Sequence, residues 1–308
     1  MSDECKEYQF FAEFSDGYSF RNLVEYLKST NTAGNFLFHS QGITYTQNNN
    51  SNTLLNHVEI RAFDLTNYIF NGSNEPDSEF VAVGINLNNL RSITKSVGKK
   101  DSLRLYMIKN NPHLHISISS PNTKELNRNN ISVIRPQKLE IPQFEIDDYS
   151  RTDQHPNCTA PAIDFNKMCT AMNAIKCSHV CIYAQESTVI FKGMFDGDIV
   201  GRVDRFGVNK SKPPLAGISD LSSTKPIVAS RSEDESPPQI VILPADYDYS
   251  IKVETSTIKS LGKLNNLSIN GTIKMYMEYN TPFKMIANIG SYGRLTIYLR
   301  DISLSNDE

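Results

Sequence analysis

Phe80 to Met107 read FVAVGINLNNLRSITKSVGKKDSLRLYM, and the structure of the whole chain follows from how this stretch is divided. FVAVGINL is short, apolar and rich in β-branched residues, which suits a strand. Asn88-Asn89 then leads into LRSITKSV, where Leu90, Ile93, Thr94 and Val97 recur at helical spacing and Gly98 ends the helix. SLRLYMI returns to strand alternation. The building unit is therefore a strand that runs straight into a short amphipathic helix and back into strands.

Working outward, the same unit opens the chain. YQFFAEF (Tyr8 to Phe14) reads as a strand closed by the turn Ser15-Asp16-Gly17. In Ser19 to Lys28, Phe20, Leu23, Val24 and Leu27 fall on one helical face. NFLFHSQGITYT carries a hairpin signal at Gln41-Gly42, HVEIRAF is a further strand, and the polar run from Gln47 to Thr53 reads as a flexible loop. LHISIS and ISVIRP complete a first half with two helices and many strands.

Leu139 to Asn157 is acidic and polar, with two prolines and no sustained period, which is linker composition. The grammar then restarts. TAPAIDF reads as a strand, Asp164 as an N-cap, and FNKMCTAMNAI as a helix with Phe165, Met168, Cys169 and Met172 inward. HVCIYAQ, TVIFKGMF and DIVGRVDRF follow as strands, and TSTIKSLGKL reads as a short helix. The chain closes on the strands IKMYMEY, PFKMIANIG and RLTIYLRDI. Between the halves of this second repeat, Gly207 to Gln239 holds seven Ser and five Pro, so it reads as a disordered insertion. The expected organisation is an α+β protein of two similar domains, each with two helices on one side of antiparallel sheets. The expected boundaries are residues 1–138, a linker 139–157, and residues 158–308 with the insertion at 207–239.

Composition narrows the function classes. Charged residues are 21% of the 308, with a formal net charge of −3, so a uniformly basic nucleic-acid binder is excluded while a segregated basic surface is not. No run approaches the ~18 apolar residues of a membrane span. The N-terminal MSDECKEYQF lacks a secretory pattern, and five scattered cysteines suit reduced thiols in a cytosolic or nuclear compartment. Bases are sorted onto the helices: Arg21 and Lys28 on the first, Arg91 and Lys95 on the second with Lys99 and Lys100 just beyond it, Lys167 and Lys176 on the third, Lys259 and Lys263 on the fourth. Glu25 is the one acid expected inside a helix body. Solvation explains any single such face, but four together suit a sequence-independent grip on phosphates.

Three stretches, Phe80 to Met107, IDFNKMCTAMNAI (Ile163 to Ile175) and PFKMIANIGSYGRLTIYLRD (Pro282 to Asp301), resemble the proliferating cell nuclear antigen family of DNA sliding clamps. The resemblance covers nearly the whole chain outside the insertion. It implies the DNA clamp (processivity) fold and a homotrimeric ring lined by the helices. It also implies tethering of DNA polymerase and other replication and repair enzymes, and placement by a clamp loader. The divergence and the insertion would suit a large DNA virus or a protist. Family positions that touch phosphates match Arg21, Lys28, Lys95, Lys167 and Lys263, while Asn22, Ser92, Thr170 and Ser256 stand where Lys or Arg is usual. Client peptides of this family plug into a pocket, which matches Ile141, Pro142, Phe144 and Ile146 on the linker, Pro282, and Tyr298. The residues support this independently: large apolar side chains in an acidic extended segment are what a peptide groove needs, although they also suit a staple onto the sheet. Arg300 stands where a small residue is usual.

Catalytic, metal and cofactor chemistry finds little footing. Cys177, His179 and Cys181 alternate, which puts all three on one strand face, with Cys158 and Cys169 upstream. No second cysteine pair closes a zinc tetrahedron, so core packing is the expectation. His113 and His115 lack a triad or HExxH context, Asp147-Asp148 and Asp246/Asp248 read as solvated acids, and no Gly-rich phosphate loop occurs. The alternatives to a ring are a clamp-fold viral processivity or late-transcription factor working as a monomer or dimer, and a two-domain enzyme that the repeat resembles by chance.

Overall fold

The structure is a computed structural model and describes residues 7–72, 78–121, 130–142, 155–185, 187–197, 199–207, 249–277 and 281–303. It divides into two compact units. One comprises residues 1–145 with 266–269 and 287–297; the other comprises 146–265, 270–286 and 298–308.

The first unit begins with β1 (Tyr8–Phe14), α1 (Gly17–Thr30), β2 (Ala33–His39), β3 (Gly42–Asn48) and β4 (Leu54–Arg61). A 3₁₀ turn at Ala62–Asp64 leads to β5 (Asn67–Phe70), and β6 (Phe80–Asn86), α2 (Leu87–Thr94), β7 (Ser102–Ile108), β8 (Leu114–Ser119) and β9 (Asn130–Ile134) follow. The second unit holds β10 (Cys158–Pro161), α3 (Ala162–Ala174), β11 (His179–Gln185), β12 (Thr188–Phe195) and β13 (Ile199–Gly207). It continues with β14 (Tyr249–Glu254), α4 (Thr255–Leu261), β15 (Thr272–Tyr276), β16 (Phe283–Ile289) and β17 (Gly293–Leu299), although Ala287–Ile297, the end of β16 and most of β17 with the turn between them, groups with the first unit.

The repeat is one of topology as well as order. β1, β7, β8 and β9 lie side by side, as do β10, β15, β16 and β17; β4, β3, β2 and β6 lie side by side, as do β13, β12, β11 and β14. β1 corresponds to β10, α1 to α3, β4 to β13, α2 to α4 and β9 to β17. β5, which pairs antiparallel with β1, has no counterpart among the described residues and was not expected from the sequence. Its four residues, NYIF, are too few to show a period.

Strand alternation drives the burial. In β7, Leu103, Leu105 and Met107 point to the core while Arg104 and Tyr106 face out. On α1, Phe20, Leu23, Val24 and Leu27 are buried against the strands, and each such side chain contributes roughly 1.5–3 kcal/mol. A buried polar network anchors the end of α1: Tyr26 donates to Asn56 Oδ1 at 2.8 Å, and Asn56 Nδ2 donates to Thr30 Oγ1 at 2.9 Å and Asn31 Oδ1 at 3.1 Å.

Several local expectations need correction. α2 starts at Leu87, capped by Asn86, whose side chain accepts from Asn88 and Asn89 amides, and it ends at Thr94 rather than running to Gly98. α3 starts at Ala162 after Pro161, so Asp164 is in its first turn and is not the cap. TAPAIDF therefore turns from strand to helix midway. Gln47 to Thr53 is not a flexible loop: β3 runs to Asn48, and Asn49 Oδ1 accepts from the amides of Thr53 (2.9 Å) and Leu54 (3.0 Å), which closes a tight turn. The insertion beyond Gly207 lies outside the described residues.

Candidate nucleic-acid interface and docking elements

α1 packs against α2, and α3 against α4. With their apolar stripes committed to the strands, the polar faces carry the bases. Lys28, Lys95, Lys99 and Lys100 of the first unit are exposed, as are Lys167, Lys176 and Lys259 of the second. Lys263 is half-buried in the 3₁₀ turn Gly262–Asn266. Lys176 stands past the end of α3 with φ +53°, in the left-handed region, and so closes the helix rather than riding on it.

Two arginines have structural partners. Arg21 Nη1 donates to the Val97 carbonyl at 2.9 Å, and its guanidinium lies 5.3 Å from the Tyr18 ring centroid, so it ties α1 to the segment after α2. Arg91 Nη2 meets Glu25 Oε1 at 3.3 Å across the two helices. Lys167 Nζ meets Asp164 Oδ1 at 2.9 Å. Asp164 is thus a second acid within a helix, contrary to expectation, because α3 begins two residues before it. Lys28, Lys95, Lys99, Lys100, Lys176 and Lys259 make no ion pair among the described residues.

Of the four positions where the family usually has a base, Ser92, Thr170 and Ser256 are exposed on the helices. Asn22 is not: it is 7% exposed, and its Nδ2 donates to the Asn266 carbonyl at 2.7 Å. A lysine there would lose this bond and bury a charge.

The chain entering the linker docks on the strands of the first unit. Gln137 bridges antiparallel to Gly84, and Asn35 Nδ2 donates to the Glu140 carbonyl at 2.8 Å. Ile141 then stands 40% exposed, with Pro142 half-buried beside it. Phe144 and Ile146 lie outside the described residues, as do Asp147, Asp148, Asp246 and Asp248. In the second unit, Pro282 is half-buried just ahead of β16, Tyr298 is 5% exposed on β17, and Arg300 is exposed after it.

Sequence reasoning missed two terminal strands, among the described residues, that expose apolar side chains. β9 and β13 each end the order of their sheets. β9 exposes Ile131 and Val133, 53% and 51%, and β13 exposes Ile199, 63%, with Val200 beside it. Apolar residues on an unpaired edge are normally avoided unless something pairs there. Their counterparts are paired: β17 joins β4, with Arg61 donating its amide to the Tyr292 carbonyl at 3.2 Å. Sequence alone reads these side chains as core, because exposure depends on what the fold places beside them.

The Cys177, His179, Cys181 triplet does not share one face. Cys177 precedes β11 and is buried, its thiol 3.4 Å from the Met172 carbonyl, whereas Cys181 is half-buried on β11 beside outward-facing His179. Core packing therefore holds for Cys177 and fails for Cys181. His115 stacks on Tyr106 with ring centroids 5.0 Å apart, and His113 bonds Asn111.

No family model matches the sequence. A probable DNA polymerase sliding clamp of Paramecium bursaria Chlorella virus 1 is 21% identical over 221 residues, 71% of each chain. The crystal structure of proliferating cellular nuclear antigen from Entamoeba histolytica superposes with a TM-score of 0.67 at 16% identity, covering 95% of this chain and 98% of that one. The fold is the α+β DNA clamp (processivity) fold. The resemblance to proliferating cell nuclear antigen read from the sequence is borne out by both likenesses.

Proposed function

We propose that this chain is a DNA sliding clamp: a non-enzymatic ring of identical copies that encircles duplex DNA and tethers a DNA polymerase and other replication and repair enzymes. The observation that carries this reading is the pair of unmatched edges. In a duplicated chain whose β17 pairs with β4, the equivalents β9 and β13 have no strand beyond them among the described residues. Pairing β9 of one copy with β13 of the next repeats the intrachain joint between chains. The likeness to the Entamoeba antigen and the viral clamp supports the same reading, and the family resemblance implies three copies.

Lys28, Lys95, Lys99, Lys100, Lys167, Lys176, Lys259 and Lys263, with Arg21 and Arg91 behind them, hold phosphates without reading bases. Encirclement lets each contact stay weak. Ile141, Pro142, Phe144 and Ile146 on the linker 139–157, together with Pro282 and Tyr298, are the residues we assign to client-peptide binding. A clamp loader opens the ring, and the protein works where DNA is replicated, in a nucleus or a viral replication compartment.

Sedimentation tests the assembly: a species of three times 34.7 kDa is expected at micromolar concentration. Retention on circular DNA that is lost on linearisation tests encirclement. A monomer or dimer, or equal retention on both DNA forms, selects the open clamp-fold factor instead.

A further inference from the structure

On β11, Val180 and Ile182 point into the core and are fully buried, so Cys181 faces the opposite side of the sheet. There it is the middle of a cross-strand row. Its register partner on β12 is Lys192, and its partner on β14 is Lys252. Directly opposed residues in antiparallel strands project side by side, so the thiol lies between two ammonium-bearing chains. Lys192 is only 2% exposed. Its ammonium stands 5.1 Å from the Tyr183 ring centroid and has neither a hydrogen bond nor an ion pair among the described residues. Among the described residues this cation has no carboxylate partner, and burial draws its pKa down.

Among the described residues, the other charged and titratable groups on this face do not supply that anion: Glu254 on β14, opposite His179, accepts from Ser256 Oγ at 2.8 Å. Arg205 on β13 is a further cation near Lys192; His179 and Tyr183 flank Cys181 on its own strand. The Asp301 carboxylate is engaged by the backbone amides of Lys252 (3.2 Å) and Ser303 (2.9 Å). The remaining described cysteines are different in kind. Cys158, Cys169 and Cys177 are 4%, 1% and 5% exposed, and burial pushes the Cys158 thiol up to about 11 and Cys169 higher still.

We infer that Cys181 is a modification site, a thiolate held between Lys192 and Lys252 that reacts with hydroperoxides and soft electrophiles. In the hydroperoxide reaction the sulfur attacks the distal peroxide oxygen, the O–O bond breaks, and an S–O bond forms. The thiolate becomes a sulfenic acid, while the peroxide is reduced to an alcohol or water after taking up one proton. Sulfur loses two electrons and the peroxide gains them. The inference is independent of whether the chain closes into a ring.

The test is carried out on the full chain by peptide mapping. Iodoacetamide alkylation of Cys181 is followed across pH, and dimedone traps sulfenic acid after hydrogen peroxide. Half-maximal alkylation is expected at least about one pH unit below the ~8.5 of an ordinary thiol. Dimedone is expected on Cys181 but not on Cys158, Cys169 or Cys177. Lys192→Met should slow alkylation at neutral pH several-fold, and Lys192→Arg should retain the rate. A profile centred at or above the ordinary thiol value, or an unchanged rate in Lys192→Met, overturns the inference. The profile of the unsubstituted chain decides the matter should Lys192→Met fail to fold.

Discussion

Gln137 donates its amide hydrogen to the Gly84 carbonyl at 2.8 Å, and a Cβ added to Gly84 would stand 2.2 Å from the Gln137 oxygen. The segment just ahead of the linker reaches the strand at this point because no side chain intervenes. Gly84→Ala must push backbone away from backbone, so it is expected to destabilise the first unit by about 1–3 kcal/mol. It should also weaken client-peptide binding, since Ile141 hangs from this attachment. Thermal unfolding and calorimetric titration with a clamp-binding peptide check both. Unchanged values in both would mean that the attachment does not organise the groove.

In the proposed DNA path, the Glu25–Arg91 pair competes with phosphate for the same guanidinium. Glu25→Gln removes the competitor. Tighter binding to duplex DNA is expected, with a salt slope steeper by up to about 0.9 in log–log units, whereas Lys95→Ala and Lys259→Ala should each shallow it by a similar amount. Fluorescence anisotropy over a salt series reads these slopes. A flat response in all three variants would remove the helices from the DNA path.

The exposed residues of β9 and β13 make a sharper test of assembly than any lysine. Val133→Lys, or Ile199→Asp, places a charge on an edge that has to become buried. Each should give a folded monomer by sedimentation, with circular dichroism unchanged. Persistent full-size assemblies in both would show that copies meet elsewhere.

Glu59 is held near pKa 2, below an ordinary carboxyl, by His57 and by the Arg294 guanidinium, with burial opposing them. His57 Nε2 is 3.8 Å from Glu59 Oε2, an ion-pair distance, so Arg294 makes the direct contact. A carboxyl with a depressed folded-state pKa stabilises above its unfolded value and loses that contribution as pH falls through the folded one. Glu59→Gln should therefore lower the melting temperature at neutral pH, with the deficit shrinking between about pH 4.5 and pH 2. A deficit constant across this window would mean that the pair adds nothing electrostatic.

The elements that carried a period were legible beforehand. α1 and α2 announced themselves through Leu23, Leu27 and Leu90, and the strand–helix–strand unit at Phe80 to Met107 led to the duplication. What escaped depends on neighbours remote in sequence. Asn22 sits on a basic-looking helix, yet Asn266 makes it part of the interior. Cys181 has the spacing of a core residue, but the strand face on which it falls was settled by the start of β11 two residues earlier. Ile131, Val133 and Ile199 are ordinary apolar strand residues, and only the order of strands in the sheets makes them exposed.

Under the proposed pairing of β9 with β13, the unlike character of these two edges gives each chain a head and a tail. A chain disabled at β9 still offers β13, and one disabled at β13 still offers β9. Mixing Val133→Lys chains with Ile199→Asp chains leaves one workable joint, so growth stops at a pair. In the unsubstituted chain every joint has the same polarity. Whether such a series ends as a circle or runs on as a filament is then set by the angle each copy adds, not by the chemistry of its edges.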